Sequence, residues 1–443
     1  MTIELLSPAG TLKSMRYAFA YGADAVYAGQ PRYSLRVRNN EFNRLENIAS
    51  AIEEAHQMGK KFYLASNISP HNDKVRSYLR DLEPVIAMRP DALIMSDPGL
   101  IMLVREAWPE QEVHLSVQAN AVNYATVRFW ANQGIRRVIL SRELSLDEVA
   151  EIRQQCPDVE LEVFVHGALC IAYSGRCLLS GYMTHRDSNQ GACTNSCRWH
   201  YNVHEAQENE TGDLIAVDAE HWLPESEVPA VLLQEKSRPG EYLPAYEDEH
   251  GTYIMNSKDL RAVQHVQRLV EIGVESLKIE GRTKSHYYVA RTAQVYRAAI
   301  DAALRGDGFD MNWMAELEHL ANRGYTEGFY RRHVPSEYQN YEQGVSANTA
   351  QQFVGEVTAI NRAHNSLTID VKNRFCLGDE MQLVTPAGNY TFSQFELCNS
   401  AGEPIEVAPG SGHVVQLALP QIAELSDDAL NYGLLMRHLP NQL

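Results

Sequence analysis

The sequence predicts an α/β fold, a (β/α)8 barrel of the TIM type, followed by a small C-terminal antiparallel domain that resembles a β-barrel. Seven short apolar runs alternate with helix-like segments between residues 3 and 165. The links between them are short, as in repeated βα units whose parallel strands are buried on both faces. After Gly328 the pattern changes to short alternating runs separated by turn residues. A doubly wound open sheet is the alternative, but no Gly-rich phosphate loop follows the first strand.

The barrel elements follow each other in regular order. The expected strands are Ile3–Leu6, Ala25–Ala28, Lys61–Ser66, Ala92–Met95, Val113–Val117, Val138–Leu140, Leu161–Val165 and Ser276–Ile279. The expected helices are Leu12–Tyr21, Leu45–Met58, Val75–Ala87, Leu100–Ala107, Tyr124–Asn132, one that begins at Leu146, Asp259–Ile272 and Tyr287–Leu304. Gly22, Gly59 and Gly273 fit helix C-termini. Ser145 and Glu148 form a capping box for the sixth helix.

One interval interrupts this spacing. About 110 residues separate the seventh strand from the eighth, and they include a cysteine-bearing loop at 166–200 and an acidic insert at 205–250. We expect the barrel domain, with both insertions, to span residues 1–345. Loops that follow the strands of such a barrel form its active-site mouth. The longest insertion therefore lies where chemistry is expected.

The second domain is expected at residues 351–443. Its candidate strands are Val354–Ile360, Ser366–Val371, Glu380–Val384, Tyr390–Glu396 and His413–Leu417. Turn-forming residues such as Pro-Ala-Gly and Pro-Gly separate these runs. Short strands at this spacing are typical of a small antiparallel β structure.

Composition and charge limit the class of protein. Hydrophobic residues make up 44% of the chain and charged residues 22%, which is typical of soluble globular proteins. No apolar run approaches the ~20 residues of a membrane span, and no secretory signal is visible. We therefore expect a cytoplasmic protein with reduced thiols and no membrane partner. The net charge of −18 disfavours a nucleic-acid partner, but residues 205–250 alone contribute thirteen acidic residues against two basic ones. A basic face elsewhere remains compatible with RNA.

Four of the seven cysteines lie close together, just past the seventh strand: Cys170, Cys177, Cys193 and Cys197. Only the last pair has the close spacing of a zinc finger. Thiolate-rich sets hold either zinc or iron–sulfur clusters. Buried structural cysteines are the third interpretation. The spacing alone leaves zinc and iron–sulfur open.

Polar residues end most predicted strands. His166 follows the seventh strand and is a candidate general acid or base, or else a structural histidine. On the eighth strand, Lys278 and Glu280 should face the same side with Arg282 at the rim, unless they form an ion pair that fills the barrel. We take His166, Glu280 and Arg282 as candidate catalytic residues, and Lys278 and Arg142 as candidate substrate-binding residues. Weaker mouth positions are Ser96, Asp97, Ser141, Glu143 and the amides of Gln118 and Asn120, which suit reading a base edge or supporting a ligand.

The loop after the second strand carries three arginines, Arg32, Arg36 and Arg38, interleaved with Tyr33. Arginine binds carboxylates and phosphates bidentately, and tyrosine stacks on bases. These arginines are therefore further candidates for substrate binding. A solvated charged loop is the alternative.

Several of these segments resemble the signature motifs of the U32 peptidase family. One motif reads Glu-Val-Phe-Val-His-Gly-Ala-Leu-Cys from Glu162 and continues to Cys177. Glu4–Gly10, Gly22–Gly29 and Leu277–Arg282 extend the likeness through the barrel. The tail from Gln352 resembles the C-terminal domain of the family. The motifs are long and specific, and the likeness covers nearly the whole chain.

This resemblance implies RNA modification, and it is strongest to the branch of the family that hydroxylates tRNA. Members hydroxylate the wobble uridine of tRNA at C5, a ribosomal cytidine or ubiquinone precursors, several of them without molecular oxygen. For this chain the resemblance implies formation of 5-hydroxyuridine in the tRNA anticodon loop. It also implies dependence on prephenate, a dicarboxylate. The arginines Arg32, Arg36, Arg38, Arg142 and Arg282 would then hold phosphate or the prephenate carboxylates.

The resemblance also implies a [4Fe–4S] cluster. Its firmest ligands would be Cys170, Cys177 and Cys193, with Cys197 as the fourth. Electron-donor or iron–sulfur assembly proteins would be further partners.

Two other classes of function remain open. The first is a U32-type peptidase or collagenase, although the sequence has neither a Gly-x-Ser-x-Gly nor a His-Glu-x-x-His motif. The second is an RNA-binding factor that carries a cluster or zinc and has no chemistry of its own.

Overall fold

The structure is a computed structural model that describes residues 3–35, 40–169, 205–208, 214–217, 231–233, 243–248, 251–253, 258–320, 322, 324–331, 351–418 and 425–439. Within these ranges no helix is both long enough and apolar enough to span a membrane.

The predicted barrel is confirmed. The strands of residues 3–331 are β1 (Glu4–Pro8), β2 (Ala25–Gly29), β3 (Lys61–Ser66), β4 (Ala92–Met95), β5 (Val113–Leu115), β6 (Arg137–Ile139), β7 (Glu160–Ala168), β8 (Glu205–Glu208), β9 (Leu214–Val217), β10 (Val231–Leu233), β11 (Leu243–Asp248), β12 (Gly251–Tyr253), β13 (Asp259–Arg261), β14 (Ser276–Ile279) and β15 (Tyr325–Thr326). Strands β1 to β7 pair in parallel, each with the next, and β14 pairs with both β7 and β1. These eight strands therefore form a closed barrel.

Helices surround the barrel in the predicted order. They are α1 (Leu12–Ala20), α2 (Leu45–Gln57), α3 (Asn72–Ala87), α4 (Pro98–Ala107), α5 (Tyr124–Asn132), α6 (Leu146–Gln155), α7 (Val266–Ile272), α8 (His286–Arg305) and α9 (Asn312–Glu318). The predicted capping box of Ser145 and Glu148 begins α6. Side chains of Thr11 and Ser285 cap α1 and α8 in the same way, by accepting hydrogen bonds from backbone N–H groups.

The helix predicted for residues 259–272 is wrong in its first half. Asp259–Arg261 forms the strand β13, a 3₁₀ turn follows at Val263–His265, and the α-helix begins only at Val266. Strand β13 pairs antiparallel with the end of β7, where Leu260 lies opposite Gly167. This pairing joins residues far apart in the chain, so a local hydrophobic pattern does not register it.

The insertion between β7 and β14 contains further strands. Strands β8 and β9 form one antiparallel pair, and β10, β11 and β12 form a second small sheet. The sequence identified residues 205–250 only by their acidic charge.

Charged side chains pair with each other inside the barrel. Arg137 on β6 contacts Glu4 on β1 at 2.5 Å and Glu162 on β7 at 3.4 Å. Strands β7 and β14 lie between β6 and β1 in the sheet, so the contact from Arg137 to Glu4 crosses the interior. Lys278 on β14 donates to Glu162 at 2.7 Å. Burial alone would raise the pKa of Glu4, but Arg137 and the hydroxyl of Tyr63 lower it to about 2.

The predicted antiparallel domain is also confirmed. Its elements are β16 (Gln351–Asn361), β17 (Ser366–Val371), β18 (Phe375–Cys376), β19 (Met381–Thr385), β20 (Gly388–Phe392), β21 (Glu396–Asn399), β22 (Val407–Ala408), β23 (Val414–Ala418), the short helix α10 (Asp427–Leu430) and β24 (Leu434–His438). The main sheet has the order β20-β19-β24-β16-β17-β23-β21. The sequence did not predict β24, although it lies inside this sheet, between β19 and β16.

The β domain packs against the barrel helices α1 and α8. Glu356 on β16 lies 2.5 Å from Lys13 on α1 and 2.9 Å from His286 on α8. The Tyr21 hydroxyl donates a hydrogen bond to the backbone oxygen of Val384 at 2.9 Å. These two helices follow β1 and β14, so the β domain is anchored beside the seam that closes the barrel.

Removing one partner of the internal ion pair should destabilise the barrel. In Lys278→Met, the Glu162 carboxylate loses its closest cation while it stays fully buried, at 0% exposure. We expect the free energy of unfolding to fall by about 3 to 5 kcal/mol in chemical denaturation. The double variant Lys278→Met with Glu162→Met should recover most of that loss. Arg268→Met removes an exposed pair with Glu271 and should cost less than about 1 kcal/mol. Equal losses for both single variants would contradict this interpretation.

Candidate active site

Two oppositely charged side chains meet at the mouth of the barrel. Arg142 follows β6 and Glu280 follows β14, and 3.5 Å separates Arg142 Nη2 from Glu280 Oε2. The Arg142 guanidinium lies 3.8 Å from the centre of the Phe164 ring, a cation–π contact that holds it over the barrel interior. The C-terminal ends of the strands are where barrel enzymes place their catalytic groups. We therefore take this pair as the centre of the candidate site.

Tyr27 on β2 contacts Glu280 and lies near two cations, Lys278 on β14 and Arg282 after it. Its hydroxyl donates to the backbone oxygen of Ile279 at 3.0 Å and lies 3.4 Å from Glu280 Oε2. Lys278 Nζ lies 4.3 Å from the centre of its ring, and the Arg282 guanidinium lies 5.6 Å from it. Burial raises the pKa of Tyr27 well above its usual value, so the hydroxyl stays protonated and acts as a donor.

Arg282 is buried beside β2. Its Nη1 donates to Ser34 Oγ at 2.7 Å. A Cβ atom on Gly29 would lie 2.9 Å from the same nitrogen, so the absence of a side chain there makes room for the guanidinium. The prediction that Arg282 lies at the rim underestimated its burial. It contacts the same tyrosine as Lys278 and borders the mouth from the β2 side.

Gly167 allows β7 and β14 to approach each other at the mouth. Its φ is +104°, and a Cβ atom there would lie 2.4 Å from the backbone oxygen of Glu280. The backbone N–H of Glu280 donates to the carbonyl of His166 at 2.8 Å. The absence of a side chain at Gly167 therefore allows the backbone of Glu280 to lie against the end of β7.

His166 lies in a closed aromatic pocket. The rings of Tyr288, Tyr296 and Tyr325 have centres 5.5 to 5.8 Å from its own, and its exposed fraction is 1%. A register shift between β7 and β14 at this point breaks the regular alternation of the strands. Burial lowers the pKa of His166 to about 3, so the ring is neutral at physiological pH. This environment agrees with the structural alternative for His166, and a catalytic role stays a prediction.

The other predicted binding residues divide into two groups. Lys278 is 2% exposed and forms an internal ion pair, as in the alternative for this strand, but its partner is Glu162 on β7 and not Glu280. Arg32 is on the outer surface, where it pairs with Asp81 of α3 at 2.9 Å. Arg36 and Arg38 lie outside the described residues. Arg142 and Arg282 are therefore the two predicted arginines that the described structure brings to the mouth.

The four clustered cysteines, Cys170, Cys177, Cys193 and Cys197, also lie outside the described residues. The chain enters that segment from the mouth, because β7 ends at Ala168 and Leu169 is the last residue described before it. Among the described residues, no group of three or more His, Cys, Asp or Glu side chains is arranged to hold a metal ion. The described cysteines lie elsewhere: Cys156 ends α6 at the opposite end of the barrel, and Cys376 and Cys398 belong to the β domain.

Sequence reasoning missed the role of the aromatic residues at the mouth. Tyr27 and Phe164 alternate with outward-facing residues in predicted strands, so the period of two places them on the inner face. This alternation is enough to identify both residues as inward-facing from the sequence alone. Their contacts with Arg142, Lys278 and Arg282 depend on how the strands are staggered around the barrel, which the sequence does not give.

Comparison with known proteins adds independent information. Residues 10–340 match peptidase family U32, and residues 349–437 match the C-terminal domain of that family. The chain is 60% identical over 448 residues to the tRNA hydroxylation protein P of Escherichia coli, which covers 99% of this chain and 97% of that protein. The corresponding protein of Haemophilus influenzae is 59% identical over 450 residues, 99% of this chain and 96% of that protein.

A more distant relative modifies a different RNA, according to its name. The chain is 30% identical over 398 residues to a 23S rRNA 5-hydroxycytidine synthase of Escherichia coli, which covers 86% of this chain and 52% of that protein.

The buried neutral His166 should make stability depend on pH. In the unfolded chain its pKa is about 6.5, whereas in the folded protein it is about 3. Between these values the unfolded state binds the extra proton, so stability is present above about pH 6.5 and is lost as the pH falls. We expect His166→Phe to flatten the profile of unfolding free energy in this window by about 1 kcal/mol per pH unit. The same change at the exposed His413 is the control. Parallel profiles for His166→Phe and wild type would contradict the assignment.

Proposed function

The chain belongs to peptidase family U32, and from that premise we propose that it hydroxylates the wobble uridine of tRNA at C5 and so forms 5-hydroxyuridine. One observation carries the proposal: the identity of 60% to a tRNA hydroxylation protein extends over 99% of this chain. The proposal places the protein in the cytoplasm with its tRNA partner.

The mouth has the chemistry to take up a single base. It places the charged groups of Arg142 and Glu280 beside the buried rings of Phe164 and Tyr27. Bases in the anticodon loop are unpaired, so a protein can splay one out and stack it on aromatic side chains at little cost. Glu280 Oε2 faces the mouth and would accept the proton that leaves C5 when the oxygen is installed.

Two arginines support a dicarboxylate co-substrate, which we propose is prephenate. Arg142 contacts Glu280, and Arg282 lies beside the ring of Tyr27, whose hydroxyl in turn lies 3.4 Å from Glu280 Oε2. Guanidinium groups bind carboxylates through two parallel hydrogen bonds. Arg142 would bind from the β6 side and Arg282 from the β2 side.

We further propose a [4Fe–4S] cluster on Cys170, Cys177, Cys193 and Cys197, with zinc as the alternative. The donor set fits the group, because four thiolates are the usual ligands of such a cluster. The position also fits, since Leu169 leaves the barrel at the mouth, directly before Cys170. A bound cluster would supply the one-electron chemistry that side chains lack. As a separate part of the proposal, the hydroxyl oxygen comes from a source other than molecular oxygen. Electron-donor and iron–sulfur assembly proteins would be its partners.

The modification itself provides the first test. A strain without the gene should lack 5-hydroxyuridine in its tRNA when nucleosides are measured by mass spectrometry, and the wild-type gene should restore it. Cys170→Ala should fail to restore it, whereas Cys376→Ala, a free cysteine of the β domain, should restore it fully. Normal modification in the deletion strain, or in the strain with Cys170→Ala, would overturn the proposal. Hydrolysis of gelatin by the purified protein would favour the peptidase alternative instead.

The carboxylate at the mouth provides the second test. Glu280→Gln keeps the shape of the side chain but removes its charge, and we expect the rate of hydroxylation to fall by about 10²-fold or more. Glu271→Gln on the exposed face of α7 is the control and should keep the wild-type rate. An unchanged rate for Glu280→Gln would exclude the proposed proton transfer.

A further inference from the structure

Several buried polar atoms of the described residues have no hydrogen-bond partner, and two of them, Gln118 Oε1 and Ser141 Oγ, lie on the β5 and β6 side of the mouth. The exposed fraction of Gln118 is 7% and that of Ser141 is 4%. Gln118 Oε1 and Ser141 Oγ have no partner within the part of the chain that the structure describes. Buried polar atoms in folded proteins are nearly always hydrogen-bonded, so such atoms at a candidate site point to a ligand.

The two side chains belong to neighbouring loops. Strands β5 and β6 are adjacent, with Leu115 opposite Val138, and Gln118 and Ser141 follow their C-terminal ends. The backbone N–H of Ser141 donates to the carbonyl of Ala121 at 3.2 Å, which ties the two loops together. Arg142 is the next residue after Ser141, so this side of the mouth adjoins the pair of Arg142 and Glu280.

The groups behind Gln118 are satisfied by the protein itself. Asn67 Nδ2 donates to Ser116 Oγ at 3.4 Å, and the Gln118 backbone N–H donates to the same hydroxyl at 3.5 Å. Ser96 Oγ donates to the Asn67 carbonyl at 3.2 Å. The side chains of Asn67, Ser96 and Ser116 thus have partners, whereas Gln118 Oε1 and Ser141 Oγ have none among the described residues.

We propose that Gln118 and Ser141 bind the hydrogen-bonding edge of the target pyrimidine, an inference that rests on the proposed function. Uracil presents an N–H flanked by two carbonyl oxygens. A carboxamide matches this edge, because the base N–H donates to Gln118 Oε1 while the Gln118 NH₂ donates to one carbonyl. The hydroxyl of Ser141 donates to the other carbonyl. Bases held outside a helix are commonly read by hydrogen bonds to this edge.

In this arrangement the two sides of the mouth bind different groups. Gln118 and Ser141 hold the edge of the base from β5 and β6. Arg142, Arg282 and Glu280 remain available for the co-substrate and for the proton at C5. Gln118 is thus a specificity-determining residue that touches the base and takes no part in the proton transfer.

This assignment can be tested by measuring RNA-binding affinities, without measuring catalysis. The probes are two anticodon stem–loop RNAs, one with uridine and one with N3-methyluridine at the wobble position, which lacks the N–H donor. Wild type should bind the uridine RNA more tightly, by roughly 5- to 150-fold, as expected for one bidentate contact. In Gln118→Met this ratio should fall towards one, and Ser141→Ala should weaken binding of the uridine RNA by a smaller factor. Gln133→Met, at the exposed end of α5, is the matched control and should keep the wild-type ratio.

The outcomes separate this inference from the proposed function. If Gln118→Met keeps the wild-type ratio, the base edge is read elsewhere and the inference is wrong, while the proposed function stands. If wild type does not bind the stem–loop, the proposed function fails and this inference fails with it. A melting temperature of Gln118→Met well below that of wild type would assign Gln118 a structural role and would also overturn the inference.

Discussion

The column of paired charges inside the barrel supports the rest of the structure. Arg137, Glu4, Glu162 and Lys278 come from β6, β1, β7 and β14, so their contacts join four strands around the closing seam. Buried ions of this kind are stable only when each keeps its partners, which makes the relative positions of these strands specific. Lys278 also lies under the ring of Tyr27, which contacts Glu280 at the mouth. The geometry of the mouth therefore depends on charges buried below it.

The β domain reinforces the same seam from outside. Glu356 joins α1 and α8 through Lys13 and His286, and these helices follow the two strands that meet where the barrel closes. Burial alone would raise the pKa of Glu356, but the hydrogen bonds from His286 and Lys13 hold it well below its usual value. The second domain thus packs on the helices beside the seam, next to the strand that Glu280 and Arg282 follow.

The sequence predicted the order of the barrel elements well, because each buried strand is a short apolar run that local pattern reveals. It failed where pairing partners are distant in the chain, as for β13, which pairs with the end of β7 on one side and with β15 on the other. For the site, it located Arg142, Glu280 and Gln118 from their positions at strand ends. It did not reveal that His166 lies among tyrosines, because that placement depends on a register shift between β7 and β14. The likeness in sequence, and not the spacing of residues, indicated which RNA and which cofactor to consider.

We propose that the target base enters the mouth between the C-terminal ends of β5, β6 and β14. The most direct measurement is photo-crosslinking of an anticodon stem–loop that carries 4-thiouridine at the wobble position, with the crosslinked peptides identified by mass spectrometry. We predict crosslinks to residues that follow these strands, including Gln118, Ser141 and Glu280. Crosslinks confined to the outer helices or to the far face of the β domain would contradict the account.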